Sequence, residues 1–244
     1  MDRDNARAKL RLFVEQPLGA GQEIALNRDQ GHYLFNVMRK GVGTPVALFN
    51  NTDGEWLAEV TDASRRGGVL LCKAQTAPLR PPPDLWLLFA PIKKARTDFI
   101  VEKAAELGAA RIMPVQTEFT NAERIRQDRL QAHAIEAAEQ CGGTFVPEVC
   151  ALTPLSRLLS DWPENRALIW ADEALVDTHI APALPPAPAA LLIGPEGGFS
   201  DAERGRLRKM AGVHPISLGP RILRADTAAV AALTLWQKEQ GDWV

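Results

Sequence analysis

LLIGPEGGFSDAE, residues 191–203, and SLGPRILRADTAA, residues 217–229, are the two stretches on which the reading of this chain turns. Each follows a short apolar run that reads as a buried parallel strand, and each passes into a sequence with helical spacing. Both loops are therefore expected at the carboxyl ends of strands, where open α/β sheets bind their ligands. Gly194, Gly197, Gly198 and Gly219 allow backbone to approach a ligand closely, while Pro195 and Pro220 restrict how the loops bend. Two backbone-rich loops side by side suit a flat heteroaromatic ligand with a small polar tail.

Part of this pattern has a purely structural explanation. Ser200 and Glu203 have the spacing of a capping box, and Gly197-Gly198 supplies the turn into the following helix. That leaves Gly194-Pro195-Glu196 unexplained, with an acid at the sheet edge. The stretch is not a P-loop, since no Lys followed by Ser or Thr comes after the second glycine, and no GxGxxG fingerprint is present. In the second stretch, Asp226 or Thr227 is expected to cap the Ala-rich terminal helix. Arg221 and Arg224 lie just upstream, where cations oppose the helix dipole. A polyanionic substrate explains them, or pairing with Glu196 and Asp226.

Working outward, LWLLFAP (85–91), RIMPV (111–115), FVPEV (145–149), ALIWA (167–171), ALLIG (190–194) and VHPISLG (213–219) read as strands. Helical segments around 97–107, 121–140 and from about Asp226 alternate with them. This alternation predicts a mostly parallel sheet covered on both faces. The proline-rich stretch 181–190 reads as a surface connection and the most mobile part of this region. TAPLRPPPD (76–84) carries three successive prolines and marks a domain boundary, an extended linker over 77–84. Before it, LRLFV (10–14), PVALFN (45–50), EWLAEVT (55–61) and VLLCKAQ (69–75) read as strands, with NNTDGE as a hairpin turn. One helix over 28–39, with Asn27 as its cap, interrupts them, so residues 1–76 predict a compact β-barrel.

The chain has 244 residues, of which 46% are hydrophobic, enough for one large or two modest cores. No apolar run approaches a membrane span, and the amino terminus is too charged for a signal peptide, so a cytosolic protein is expected. Cys72, Cys141 and Cys150 form no CxxC pair and have no histidine at metal spacing, so reduced thiols are expected and no metal site. His32, His133, His179 and His214 are scattered. A formal net charge of -2 argues against indiscriminate nucleic-acid binding but leaves room for a shaped RNA site with local basic patches. Candidate patches are Arg3, Arg7, Lys9 and Arg11; Lys93, Lys94 and Arg96; and Arg221 with Arg224. Any one of them alone is more often a solvated face.

Joined in this order, the two carboxyl-terminal motifs resemble those of the ribosomal RNA small subunit methyltransferase E family, a branch of the SPOUT class. HYLFNVMRKGVG (32–43) resembles its amino-terminal PUA-like domain, and FIVEKAAELG (99–108) and EAAEQCGGTFVPEV (136–149) resemble two further stretches. Departures are Gly143 where an arginine usually follows EQCG, Lys94 where a glycine is usual, and Asp226 where many relatives carry Glu.

The resemblance implies a PUA-like RNA-binding β-barrel over 1–76, a linker, and a SPOUT α/β domain over 85–244 whose strand ends form a trefoil knot. It implies S-adenosylmethionine as cofactor, held by Gly194, Pro195, Glu196, Gly197, Gly198, Leu218, Gly219, Ile222 and Leu223. It implies methylation of uridine N3 in the decoding region of 16S ribosomal RNA, with Arg221, Arg224, Asp226 and Glu196 as catalytic candidates. His32, Arg39, Lys93, Lys94 and Arg96 are the RNA-binding candidates. A homodimer is implied, with the terminal helix and the helix near 99–107 as interface candidates, and no catalytic metal is needed. The rival readings are a SPOUT methyltransferase acting on transfer RNA or another ribosomal site, a non-catalytic RNA-binding protein, and a small-molecule nucleotide enzyme.

Overall fold

A computed structural model describes residues 8–64, 67–121, 124–176 and 183–243. Arg3, Arg7, His179 and residues 181–182 of the proline-rich stretch lie outside the described residues. The chain divides into two compact units, one of residues 1–81 and 138–146, the other of residues 82–137 and 147–244.

The first unit is a mixed sheet of described strands in the order β1-β3-β4-β5-β2. These are β1 (Arg11–Phe13), β2 (Glu23–Ala25), β3 (Pro45–Asn50), β4 (Gly54–Ser64) and β5 (Gly67–Ala77). Only β1 with β3 is parallel; the other pairs are antiparallel. Leu12 and Val14 at one end and Ile24 and Leu26 at the other share one buried cluster with Val46, Leu48, Val60 and Leu70. Both ends of the sheet reach the same core, so the sheet curls into a barrel-like wrap. The expected helix over 28–39 is a short α1 (Arg28–Gly31) followed by a π-helical turn over His32–Val37. Asn27 caps α1 in a capping box with Gln30. β2 was not among the expected strands, because three residues carry too little periodicity to be seen.

Arg11, expected in a basic RNA patch, is structural instead. It donates to Glu55 at 2.8 Å and to the carbonyls of Ala138, Glu139 and Gly143 at 2.7, 3.0 and 2.6 Å. Those carbonyls belong to the end of α3 (Gln127–Cys141) and the turn after it, so the guanidinium satisfies acceptors that a helix terminus leaves open.

The second unit holds a parallel sheet in the order β12-β10-β11-β6-β7-β8. Its main strands are β6 (Leu85–Phe89), β7 (Arg111–Gln116), β10 (Ala167–Ala171), β11 (Ala189–Ile193) and β12 (Val213–Ile216). β8 (Glu148–Val149) and β9 (Thr153–Pro154) are two-residue pairings on β7. The expected strand over 145–149 is thus reduced to its last two residues, since Pro147 has no N–H to give a ladder.

β11 is buried at every position. Leu88, Leu168, Trp170, Ala190 and Leu192 pack on one face with Leu155 and Leu159 of α4 (Leu155–Ser160) and Leu207 of α5 (Asp201–Lys209). The alternate residues Leu87, Phe89, Leu191 and Ile193 are also buried, on the opposite face, where α6 (Ala225–Gln240) packs on β11 and on α2 (Lys94–Glu106). Ala225, Ala228, Ala229 and Ala232 are buried on α6, and such small side chains let it lie close to its neighbours. Gln237, wholly buried, donates from Nε2 to the carbonyls of Leu107 at 2.8 Å and Gly108 at 3.2 Å, closing the carboxyl end of α2. This is the parallel sheet covered on both faces that the alternation of strands and helices predicts. Among the described residues no helix is long and apolar enough to cross a membrane.

Candidate functional site

β12, β10 and β11 are neighbours and parallel, so the loops that leave their carboxyl ends emerge along one edge. Between these loops lies a cleft of about 160 Å³, lined by Gly194, Pro195, Glu196 and Gly198 from the first motif and by Ile222, Leu223, Arg224 and Ala225 from the second. A narrower recess of about 50 Å³ adjoins it, lined by Leu218, Gly219, Arg221, Ile222 and Leu223. Ala171, Glu173 and Ala228 line both. Glu196, Ile222 and Arg224 are exposed at the rim, so the cleft is open to solvent on one side. The two sequence motifs therefore build one site.

The loops are held by a network that sequence reasoning missed. Arg204, one turn into α5, bonds both Asp172 and Glu173. Asp172 is 3% exposed, and a buried carboxylate is tolerated when it is paired in this way. Its backbone N–H donates to the Ile216 carbonyl at 3.1 Å, and Arg208 adds a second cation at 3.5 Å. Glu173 accepts the Phe199 N–H at 3.2 Å, while Arg204 Nε donates to the Phe199 carbonyl at 3.1 Å. The loop after β10, the loop after β11 and the start of α5 are thus fixed to one another. The sequence signal was slight: two acids directly after a strand, and an arginine thirty-two positions on.

Gly198 has φ +72°, and a Cβ there would come within 1.9 Å of Glu173 Oε1. A Cβ on Gly194 would meet the Phe199 ring at 2.7 Å. These glycines are required by packing of the loop on its own support. Gly197 lines neither recess; its Cβ position faces the Phe119 side chain at 3.3 Å. Ser200 and Glu203 form the expected capping box at the start of α5.

At the second motif the structure departs from expectation. The N-cap of α6 is Arg224, with no side-chain cap, and Asp226 and Thr227 lie inside the first turn. Asp226 accepts from Arg96 Nη1 at 2.8 Å and from the Thr227 N–H at 2.9 Å. Asp226 therefore pairs with neither Arg221 nor Arg224, and Arg96 is engaged within the protein. Among the described residues the side chains of Arg221, Arg224 and Glu196 have no hydrogen-bond or ion-pair partner.

Among the RNA candidates, Lys93 is the uncapped N-cap of α2 and Lys94 its first residue, both exposed and unpaired among the described residues. In the first unit, His32 Nδ1 lies 3.2 Å from Asn36 Nδ2, and Arg39 has φ +52°. Val37, Met38 and Val42 are exposed beside Arg39 and Lys40. Among the described residues no group of three or more His, Cys, Asp and Glu could hold a metal ion.

A family model described as an RNA methyltransferase domain matches residues 80–237, and one described as an RNA methyltransferase PUA domain matches residues 26–70. The chain is 29% identical to ribosomal RNA small subunit methyltransferase E of Rickettsia conorii, over 91% of this chain and 93% of that protein. It is 30% identical to the protein of the same name from Synechocystis, over 86% and 71%. Among solved structures, the methyltransferase Lpg2936 from Legionella pneumophila, in complex with bound SAM, superposes with a TM-score of 0.86 at 31% identity over 96% of this chain and 98% of that one. The Neisseria gonorrhoeae ribosomal RNA small subunit methyltransferase E bound to S-adenosyl methionine gives 0.86 at 26% identity over 96% and 99%. With the expected motifs meeting in one cleft and both domain models matched in order, the chain belongs to the ribosomal RNA small subunit methyltransferase E family.

Proposed function

We propose that this protein transfers the methyl group of S-adenosylmethionine to N3 of a uridine in the decoding region of 16S ribosomal RNA. The observation that carries the reading is the meeting of Gly194, Pro195, Glu196 and Gly198 with Leu218, Gly219 and residues 221–225 at the carboxyl edge of the sheet. Its apolar walls, from Ile193, Ile222, Leu223 and Ala228, suit an adenine ring, and Glu173 and Glu196 suit a cationic sulfonium and amino group. The backbone N–H groups of Leu218, Ile222 and Leu223 make no hydrogen bond among the described residues, which leaves donors for a purine edge. At about 160 Å³ the cleft is smaller than an enclosed ligand pocket, consistent with a ligand that lies partly exposed to its RNA substrate.

The cofactor, when bound, supplies an activated methyl group. The protein's work is to place the uridine and remove its N3 proton, because neutral N3 is a poor nucleophile. Arg221 and Arg224, unpaired at the cleft, are placed to stabilise the developing uridine anion or a flanking phosphate. Glu196 is the carboxylate free to accept the proton, and Asp226 serves to orient Arg96. N3 lies on the pairing edge, so the target must be unpaired or splayed out. The exposed Val37, Met38 and Val42 beside Arg39, with His32, give the PUA-like unit a surface of mixed apolar and cationic character suited to unpaired RNA. Exposed Phe99 on α2 and Leu235 on α6 fit the interface of a homodimer.

The test is mass spectrometry of 16S ribosomal RNA from a deletion strain, with and without the gene restored. N3-methyluridine absent from the deletion strain and recovered on complementation is the expected result. Its persistence without the gene rejects the assignment.

A further inference from the structure

A second cavity, of about 360 Å³, opens where the amino ends of α2 and α3 converge, and the methyl-transfer site described above does not use it. Its apolar lining includes Pro91, Ile92, Ile125 and Leu130, and its charged lining is Lys94, Arg124, Arg126 and Arg129 against Asp98 alone. Arg129 is bonded to Asp98 at 2.7 Å and Arg126 to Asp128 at 2.6 Å. Lys94 and Arg124 are exposed and have no partner among the described residues.

The position of Lys94 is unfavourable without an anion. It is the first residue of α2, whose N-cap makes no side-chain bond and whose first turn has no acid, so Lys93, Lys94 and Arg96 stand against the positive end of the helix. The rim is also well fixed: Thr97 Oγ1 accepts the Ile92 N–H at 3.0 Å and donates to the Ile92 carbonyl at 3.1 Å. An apolar floor with two unpaired cations at its mouth matches a nucleotide, base inward and phosphate at the rim, and the volume lies in the range of ligand pockets.

The cavity shares the sheet edge with the methyl-transfer cleft. The Ala90 N–H donates to the Ile193 carbonyl at 3.0 Å, so Pro91 on the cavity wall leaves β6 next to where Gly194 leaves β11. On the far side, Arg96 bonds Asp226, next in sequence to Ala225 of the cleft lining.

We propose that this cavity binds an unpaired nucleotide of the RNA that flanks the target uridine, its base on Ile92, Ile125 and Leu130 and its phosphate on Lys94 and Arg124. The proposal rests on the function proposed above and specifies how that substrate is gripped.

The experiment uses the full chain and the variants Lys94→Ala, Arg124→Ala, their double and Arg124→Lys. Methylation of small ribosomal subunits lacking the modification is measured over a range of salt, with S-adenosylmethionine binding followed by calorimetry. Each alanine variant is expected to raise KM for the subunit about tenfold, leave kcat and cofactor affinity unchanged, and lower the salt slope by about one. Arg124→Lys should recover most of the loss. An unchanged KM in the double variant overturns the proposal, as does an equal loss of cofactor binding or a change in sedimentation, which would assign the residues to folding or to a subunit interface.

Should the parent bind no cofactor and methylate nothing, the function proposed above fails, and the pocket is tested by fluorescence anisotropy with a labelled octauridylate. The double variant should then bind at least tenfold more weakly than the parent, and Ile125→Ser should weaken octauridylate binding but not its displacement by inorganic polyphosphate. Equal binding by parent and double variant, or an Ile125→Ser variant indistinguishable from the parent, overturns the inference.

Discussion

Arg96 Nη1 donates to Asp226 Oδ2 at 2.8 Å, joining the first turn of α2 to the first turn of α6 directly beside the proposed methyl-transfer cleft. Both residues looked like separate functional candidates in the sequence, one for RNA and one for proton removal. Bonded together, they form a brace whose loss should loosen the site without removing a chemical group from it.

Asp226→Asn should therefore keep the pH–rate profile of the parent while lowering kcat/KM by about tenfold or less, the scale of one charge-assisted hydrogen bond. Arg96→Ala should give a similar loss, and the double variant little more than either single one. A profile that loses its acidic limb in Asp226→Asn would identify Asp226 as the base after all. Glu196→Gln, by contrast, removes the proposed proton acceptor together with a carboxylate that suits the cationic end of the cofactor, and is expected to lower kcat by about a hundredfold or more and to weaken cofactor binding as well.

Gln237 bears on the fold alone. It is fully buried on α6, and its side-chain amide bonds the carbonyls of Leu107 and Gly108, acceptors that the end of α2 leaves open. Gln237→Leu fills similar volume but strands both carbonyls, at a cost of about 1–3 kcal/mol. Thermal unfolding of the second unit should move down by about 2–4 °C per kcal/mol, with KM for cofactor unchanged in the surviving folded protein.

Thiol chemistry separates the cysteines. Burial pushes the Cys72 and Cys150 thiols up from their ordinary range, whereas Cys141 is exposed. The thiolate is the reactive form, so a raised value suppresses reaction at neutral pH and restores it only as pH climbs. Iodoacetamide at pH 7.5 should label Cys141 first, with Cys72 reacting only on unfolding. Peptide mapping that finds Cys72 labelled at the rate of Cys141 would contradict the buried placement.

The first glycine-bearing motif was legible because it couples a fully buried strand to a helix with a capping box within a few residues, whereas the second leaves an edge strand that is only partly buried and enters a helix with no side-chain cap. Asn27 and Ser200 could be read as caps for the same reason. The cap of α6 was misread because Asp226 and Thr227 are both good N-cap residues, yet the N-cap is Arg224, two residues before Asp226, and the Asp226 side chain instead reaches Arg96 on another element. Arg11 was misread as surface charge for a similar reason: its acceptors lie 44 to 132 positions away. Partners that far apart leave no period in a sequence.

The Asp172–Glu173–Arg204 network gives the sharpest prediction, because it explains a glycine that a cofactor alone would not. Gly198 stands at φ +72° with Glu173 Oε1 where its Cβ would be. Gly198→Ala must therefore adopt a left-handed conformation, at about 1–2 kcal/mol, and also displace the carboxylate that holds the Phe199 N–H. Cofactor affinity by calorimetry should fall at least tenfold. Removing the obstruction separates the two causes: in Gly198→Ala with Glu173→Ala the steric part is relieved and the backbone part stays, so affinity should return only to the level of Glu173→Ala less the conformational cost. Were the double variant no better than Gly198→Ala alone, the contact with Glu173 would be irrelevant, and the glycine would be required by the ligand or by the turn itself.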